Sequence, residues 1–437
     1  MEHFVVRPGP PLSGSVAIGG AKNSALKIMA ATLLAEGDYT LRNVPSITDV
    51  AFMGDLLASM GVAIATPAPG QIRIHQGATC GTEAAYELVE RMRASIVVLG
   101  PLLGRFGRAR VALPGGDDFG ARPIDMHLSG LEQLGATFEL RHGYIDATAD
   151  GLFGARVLLE YPSVGATENL LLAAVRAKGV TVIDNAAREP EISDLAAFLT
   201  RMGATIAGAG TSTIVVEGVE ELHAADHTVI PDRIEAATYL AALAVAGGEI
   251  NIDGARPDHM DMILYKLGEM GLHIAATSTG LWAASTGRLR AADVSTLPYP
   301  GIATDYKPFL VAALALADGV AIVTENLFAG RFRYISELIR MGADIRTEGH
   351  HAVVRGVARL SGAPVRASDI RAGAALVVAA LGAEGETVVA DAAHIARGYE
   401  DLPARLRGLG ADIEVVADPG DGPFSPDRPF SPDRPSR

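Results

Sequence analysis

The chain has 437 residues, 49% of them hydrophobic and 20% charged, enough for two or three domains with sizeable cores. Acidic residues outnumber basic ones by 51 to 37, a net charge of −14, which argues against a general nucleic-acid or anionic-membrane surface but leaves room for a local basic pocket. A single cysteine, Cys80, excludes a disulfide framework and a Cys-based metal cluster. The opening Met-Glu-His-Phe-Val-Val-Arg-Pro lacks the apolar stretch of a signal peptide. Gly or a charge interrupts every apolar run before about 18 residues, so a soluble, cytoplasmic protein without membrane contact is expected.

Near the amino terminus, Gly19-Gly-Ala-Lys22-Asn23-Ser24 separates an extended start from a helical run, Ala25 to Ala35. A glycine pair before a helix exposes backbone N–H groups, and Lys22 adds a compact positive charge, so an anion could dock there. The Walker spacing is absent, and these residues alone read equally as an ordinary helix entry.

From here a pattern Leu-x-x-(Met or Leu)-Gly recurs six times, ending at Gly61, Gly135, Gly203, Gly271, Gly342 and Gly410, with spacings of 74, 68, 68, 71 and 68 residues. Each copy predicts an amphipathic helix closed by a glycine in the left-handed conformation. Strand-like runs stand upstream of several copies (Thr40–Asn43, Val180–Asp184, Ala321–Glu325) and downstream of others (Ala204–Ile206, Thr213–Val216, Ala352–Arg355). Six α/β units of this kind suggest two domains of three units each.

Between the repeats lie polar clusters. Leu113-Pro-Gly-Gly-Asp117-Asp118-Phe-Gly120-Ala-Arg122-Pro123-Ile124-Asp125 reads as a mobile loop carrying adjacent aspartates. Their repulsion can raise one pKa toward the range of a general acid, although a solvated turn accounts for the same residues. Arginines recur at element ends: Arg91 and Arg93, Arg331 after Phe328, Arg371 after Asp369, Arg397 before Gly398. They suit carboxylate or phosphate groups, although each taken singly reads as a surface salt bridge. No His-Glu-x-x-His, paired zinc ligands or Gly-x-Ser-x-Gly elbow occurs. The tail repeats Phe424-Ser-Pro-Asp-Arg-Pro429 as Phe430–Pro435, and its proline density predicts disorder over 418–437.

Taken together, these pieces resemble the enolpyruvyl transferases over about residues 3 to 416. The matching motifs, in the family's order, are Gly-Gly-Ala-Lys22-Asn23, Arg93-Ala-Ser, Leu-Pro-Gly-Gly-Asp117, Gly-Ala-Arg122-Pro-Ile-Asp125, Ser163-Val-Gly-Ala-Thr167, Ala187-Arg-Glu-Pro-Glu191, Pro231-Asp-Arg-Ile-Glu235, Thr304-Asp305, Arg331-Phe, Asp369-Ile-Arg371 and Arg397-Gly-Tyr-Glu400. The resemblance is to the branch acting on UDP-N-acetylglucosamine. The sister enzyme acting on shikimate 3-phosphate shares the fold but has other motifs.

The resemblance implies an inside-out α/β barrel in two domains, each of three βαβαββ-type units with helices in the core. The catalytic-loop domain would span 22–229, and the second, discontinuous domain 1–21 and 230–417. The implied reaction moves the enolpyruvyl group of phosphoenolpyruvate to the 3′-hydroxyl of UDP-N-acetylglucosamine with release of phosphate. That is the first committed step of peptidoglycan synthesis, on which cell shape and division depend. No metal and no cofactor is implied, because fixed cations do the work. Lys22, Asn23, Arg122, Arg331, Arg371 and Arg397 would contact phosphoenolpyruvate. Arg93, Arg122, Pro123, Ile124, Asp125, Met126, Ser163, Val164, Gly165, Asp305 and Leu327 would hold the nucleotide sugar. Asp305 would orient and deprotonate the 3′-hydroxyl, and Asp369 would assist proton transfer. Many members carry cysteine where this chain has Asp117, which here would be the general acid.

Two departures lie beside these positions: Ile302-Ala303 replaces a usual Phe-Pro, and Ala329-Gly330 replaces a more polar pair before Arg331. They motivate an alternative, a paralogue transferring to another nucleotide acceptor in secondary metabolism. A catalytically dead UDP-sugar sensor is a third reading, opposed by the joint presence of Lys22, Asp117, Asp305 and Arg397.

Overall fold

The computed structural model describes residues 2–115, 123–328 and 330–417. All six repeat glycines adopt positive φ, between 91° and 108°. The leucine opening each copy and the Met or Leu before each glycine are buried. The helices they close are Thr48–Ser59, Asp125–Gln133, Pro190–Arg201, Asp261–Met270, Ile335–Arg340 and Leu402–Gly408. In each copy the helix turns its apolar stripe inward, and glycine ends it where a Cβ would be strained.

One four-stranded sheet pattern recurs six times among the described residues. In the first copy, Gly37–Arg42 pairs parallel with His227–Thr228 and antiparallel with Gln71–Gln76, which pairs antiparallel with Ala63–Ala68. The last copy borrows the amino terminus: Glu2–Arg7 runs antiparallel between Thr387–Ala390 and Asp412–Ala417. Helices deep in the interior complete each unit. Val164–Ala174, Lys307–Leu314 and Ile370–Ala380 are buried over nearly their whole length, as helices surrounded by sheets on all sides must be. The protein therefore has the two-domain inside-out α/β fold of the enolpyruvyl transferases.

Two apolar clusters form. One gathers buried residues from Ala21 to Val229, the other from Phe4 to Ile18 and Ile234 to Ile413. The chain passes between them twice, and the two passages pair with each other. Ala21 donates its N–H to the Ile230 carbonyl at 2.7 Å, and Asp232 donates to that of Gly19 at 2.9 Å. At Gly20 an added Cβ would stand 1.6 Å from the Asn43 carbonyl oxygen, so only glycine permits the approach.

Asp232 serves both passages. Its Oδ1 accepts from Ile234 and Glu235 at the start of helix Arg233–Ala246, and its Oδ2 accepts the Lys22 N–H at 3.2 Å. That remote cap starts the first helix at Lys22 rather than the expected Ala25, and it runs to Ala31 before a 3₁₀ turn, Thr32–Leu34. Among the described residues no helix is long and apolar enough to cross a membrane.

Candidate functional site

A cavity of about 560 Å³ is walled by residues of both clusters and by the two passages, a size usual for small-molecule sites. Lys22, Asn23, Arg93, Pro123, Met126, Ser163, Val164, Gly165, Asp305, Leu327, Arg331, Asp369, Arg371 and Arg397 all line it. Ile124 and Asp125 are not on its wall. Ile124 packs against the apolar cluster and its carbonyl accepts from His127. Asp125 stands in the first turn of its helix, where an acid suits the helix dipole. Asp117 and Arg122 lie outside the described residues.

One wall is a charge cluster. Asp305 Oδ1 accepts from Arg331 at 2.7 Å, and its Oδ2 stands 3.3 Å from Arg371 Nε. Asp305 lies deep in the cleft yet keeps 25% of its side chain open to it. Burial pushes its pKa up, but Arg331 and Arg371 outweigh that and hold it well below the usual carboxylate range. Both arginines are almost wholly buried, which overturns their single-residue reading as surface salt bridges. They are buried because they are paired. Arg371 lies in the first turn of helix Ile370–Ala380, capped by Asp369 Oδ1, which accepts from the N–H groups of Arg371 and Ala372 at 2.9 Å. Its guanidinium carbon lies 5.3 Å from the centre of the Tyr399 ring.

Lys22 lines the same cavity at the start of its helix, with Nζ 3.1 Å from Asp49 Oδ2. Arg397 Nε reaches Asp49 Oδ1 at 2.9 Å. Burial lowers the Lys22 pKa and Asp49 partly restores it, leaving the ammonium below its ordinary value. Behind the Asp305 wall, Lys307 and Glu325 form a fully buried pair at 2.8 Å. Glu325 also accepts from Thr296, Thr304 and the N–H of Leu327, fixing the loop that carries Leu327 and the turn that carries Asp305. Burial pulls the Lys307 pKa down to about 8.

The far end is less cationic. Ser163 caps helix Val164–Ala174 through its Oγ. His127 is buried against Gly165, and burial with nearby Arg93 lowers its pKa to about 4. Asn169 Oδ1 accepts from Gly100, so its Nδ2 is the donor to His127 Nδ1 at 2.8 Å. The imidazole is therefore neutral, with its proton on Nε2. Glu168, 3.4 Å from Lys27, is pushed up to about 7 by burial. Glu191 grips Arg233 at 3.0 Å across the second passage.

Motif reasoning placed Glu191 and Arg233 in matching stretches without a role. It missed Asp49, Lys27, Glu168, His127, Lys307 and Glu325. Asp49 looks like any acid at a helix start. Lys27 and Glu168 pair across 141 residues, Lys307 and Glu325 across 18, and His127 takes its hydrogen bond from Asn169 across 42, and no local spacing announces such a pairing.

A deep cleft between two inside-out domains, lined by lysine and arginine on a protein of net negative charge, defines a class. Residues 6–406 match the family model described as EPSP synthase (3-phosphoshikimate 1-carboxyvinyltransferase), and the chain belongs to this family of enolpyruvyl transferases. Within it, the chain is 51% identical over 420 residues to the UDP-N-acetylglucosamine 1-carboxyvinyltransferase of Nocardia farcinica, covering 95% of this chain and 99% of the relative. The enzyme of that name from Trichlorobacter lovleyi is 47% identical, with 96% and 100% covered. Among solved structures, the enolpyruvyl transferase NikO from Streptomyces tendae superposes with a TM-score of 0.86 at 28% identity, covering 96% of this chain and 99% of that one. EPSP synthase from Acinetobacter baumannii, at 18% identity and a TM-score of 0.75 over 95% and 100%, shares the fold.

Proposed function

We propose that this protein transfers the enolpyruvyl group of phosphoenolpyruvate to the 3′-hydroxyl of UDP-N-acetylglucosamine, releasing phosphate, as a cytoplasmic enzyme opening peptidoglycan synthesis. The observation that carries the reading is the gathering of Lys22, Arg397, Asp305, Arg331 and Arg371 around one cavity, in a chain about half identical to relatives of that name. The two apolar clusters support a division into domains 22–229 and 1–21 with 230–417.

Phosphoenolpyruvate carries a phosphate and a carboxylate. Lys22, Arg122 and Arg397 take these groups in our reading, with Arg331, Arg371 and Asn23 beside them. Arg371, buried on the cavity wall beside Asp305, is favoured as an anion receptor because a guanidinium grips an oxyanion through paired hydrogen bonds. Arg93, Pro123, Met126, Ser163 to Gly165 and Leu327 take the nucleotide sugar. Ile124 and Asp125 enter only through the segment they share with Pro123 and Met126.

Chemically, the 3′-oxygen bonds to C2 of phosphoenolpyruvate while C3 gains a proton. Loss of that proton and of phosphate then restores the double bond on the new ether. Asp117 supplies the acid. Asp305 orients the hydroxyl, and it becomes an effective base as the substrate's anions draw Arg331 and Arg371 away from it. Asp369, whose Oδ1 accepts from the backbone N–H groups of Arg371 and Ala372, assists proton transfer in this reading.

Phosphate release with phosphoenolpyruvate and a panel of UDP-sugars tests the reading. Turnover with UDP-N-acetylglucosamine is expected. Turnover only with another acceptor replaces it by the paralogue reading, and binding without turnover by the sensor.

A further inference from the structure

Asp49 has no part in the mechanism above, yet it occupies the centre of the cationic wall. Its side chain is 2% exposed, and its two oxygens stand 3.1 Å from the Lys22 ammonium and 2.9 Å from Arg397 Nε. Lys22 belongs to the stretch whose apolar residues join the Ala21–Val229 cluster. Arg397 lies between Ile395 and Tyr399 of the other cluster. Beside it Thr48 Oγ1 donates to the Ala396 carbonyl at 3.2 Å, so the first turn of helix Thr48–Ser59 ties the two halves at this point. Two like charges brought to one carboxylate would otherwise repel.

We propose that Asp49 is a positioning residue for phosphoenolpyruvate, holding Lys22 and Arg397 together across the cleft until the substrate's own anion takes over that role. This rests on the reading above, which assigns both cations to that substrate. An isolated buried carboxylate would be costly, but two cations and the amino end of its helix offset that cost. The arrangement costs nothing to reorganise when substrate arrives, because both donors already point at one place.

Among the described residues, the charged groups acting most strongly on Lys22 are Asp49, Arg371 and Asp305. Asp232 holds its backbone N–H, and Arg397 stands on the other oxygen of Asp49. Of these, Asp49 and Asp305 favour the charged ammonium, while burial and Arg371 disfavour it. Removing the Asp49 charge therefore lets Lys22 lose its proton at lower pH.

The test compares Asp49→Asn, Asp49→Glu and Thr48→Val with the unaltered chain. For Asp49→Asn, the alkaline limb of kcat/KM for phosphoenolpyruvate should move down by roughly one pH unit. The loss should grow along the alkaline limb to at most about tenfold and be smaller at pH 6.5 than at pH 8.5, with KM for the UDP-sugar within about twofold. Thr48→Val removes the neighbouring tether without the charge and should leave the limb in place. Asp49→Glu keeps the charge on a longer arm, so the limb stays and KM for phosphoenolpyruvate rises several-fold. A loss in Asp49→Asn that is equal at all pH values, or no loss, overturns the proposal. If Asp49→Asn does not fold, Asp49→Glu decides, and an unchanged KM for phosphoenolpyruvate overturns it. If the unaltered chain releases no phosphate, the functional reading fails. Asp49 is then judged by calorimetry with inorganic phosphate at pH 8.5, where weaker binding to Asp49→Asn supports it and equal binding overturns it.

Discussion

Two carboxylates in the same cleft meet opposite fates. Asp305 has Arg331 at 2.7 Å and Arg371 at 3.3 Å, and stays ionised well below the usual range. Glu168 has one partner, Lys27 at 3.4 Å, with Glu191 and Glu189 nearby, and burial carries it to about 7. Desolvation pushes both upward, and the number and closeness of cations decide which way each one moves. The cationic end is thus built to keep negative charge, its own or a substrate's. At the far end burial prevails instead, leaving His127 neutral and Glu168 easily neutralised.

The sharpest way to break the comparison is to remove a cation from the cationic end. Lys22→Met should fold, because the side chain contributes little to either core, but lose about 10²–10³-fold in turnover, the usual loss for a charged contact strengthened in the transition state. Retention of more than roughly a tenth of the activity in a phosphate-release assay contradicts the role given to Lys22.

Next comes the carboxylate the mechanism needs protonated. Asp117→Asn should lose turnover by about 10²-fold or more, as expected for a missing general acid. Asp117→Cys should stay active yet become covalently modified by fosfomycin, the epoxide that alkylates cysteine-bearing members of the family. A thiolate is a strong nucleophile toward a strained epoxide and a carboxylate a weak one, so the unaltered chain should resist the drug. Mass spectrometry after incubation reads this directly, and an adduct on the unaltered protein would sink the assignment.

A smaller effect sharpens the far end. Glu168 has its folded pKa raised from 4.5 to about 7, so the folded state holds its proton more tightly than the unfolded chain does. Its contribution to stability is complete below about pH 4.5 and is lost as pH rises through about 7, a change of about 1–3 kcal/mol. The double variant Lys27→Met with Glu168→Gln leaves neither charge unpaired, and it should flatten melting temperature against pH across that window. An unchanged slope would show that Glu168 does not titrate there.

The smallest expected effect is none. Truncation after residue 417, which removes only residues outside those described, should alter neither melting temperature nor activity, as the proline-rich composition of 418–437 leads us to expect. A fall of several degrees would show that the tail docks.

The repeat architecture was readable because it is local. A leucine and a Met or Leu three residues apart face one side of a helix, and glycine closes that helix in a conformation only it adopts cheaply. Those facts hold wherever the segment lies, so all six copies end as expected. The arginines were legible as anion partners but not as buried ones, since a residue's burial is settled by what comes to meet it. Arg371 meets Asp305 across 66 positions of chain, and Arg397 meets Asp49 across 348. Asp49 was invisible for the same reason, as an acid in the first turn of an amphipathic helix has an ordinary local explanation. Local periodicity and backbone sterics thus belong to the sequence by itself. Which charges are shielded, paired and turned toward one cleft was decided only when two passages near residues 20 and 231 folded together, because desolvation and Coulomb energy depend on distances that no spacing along the chain encodes.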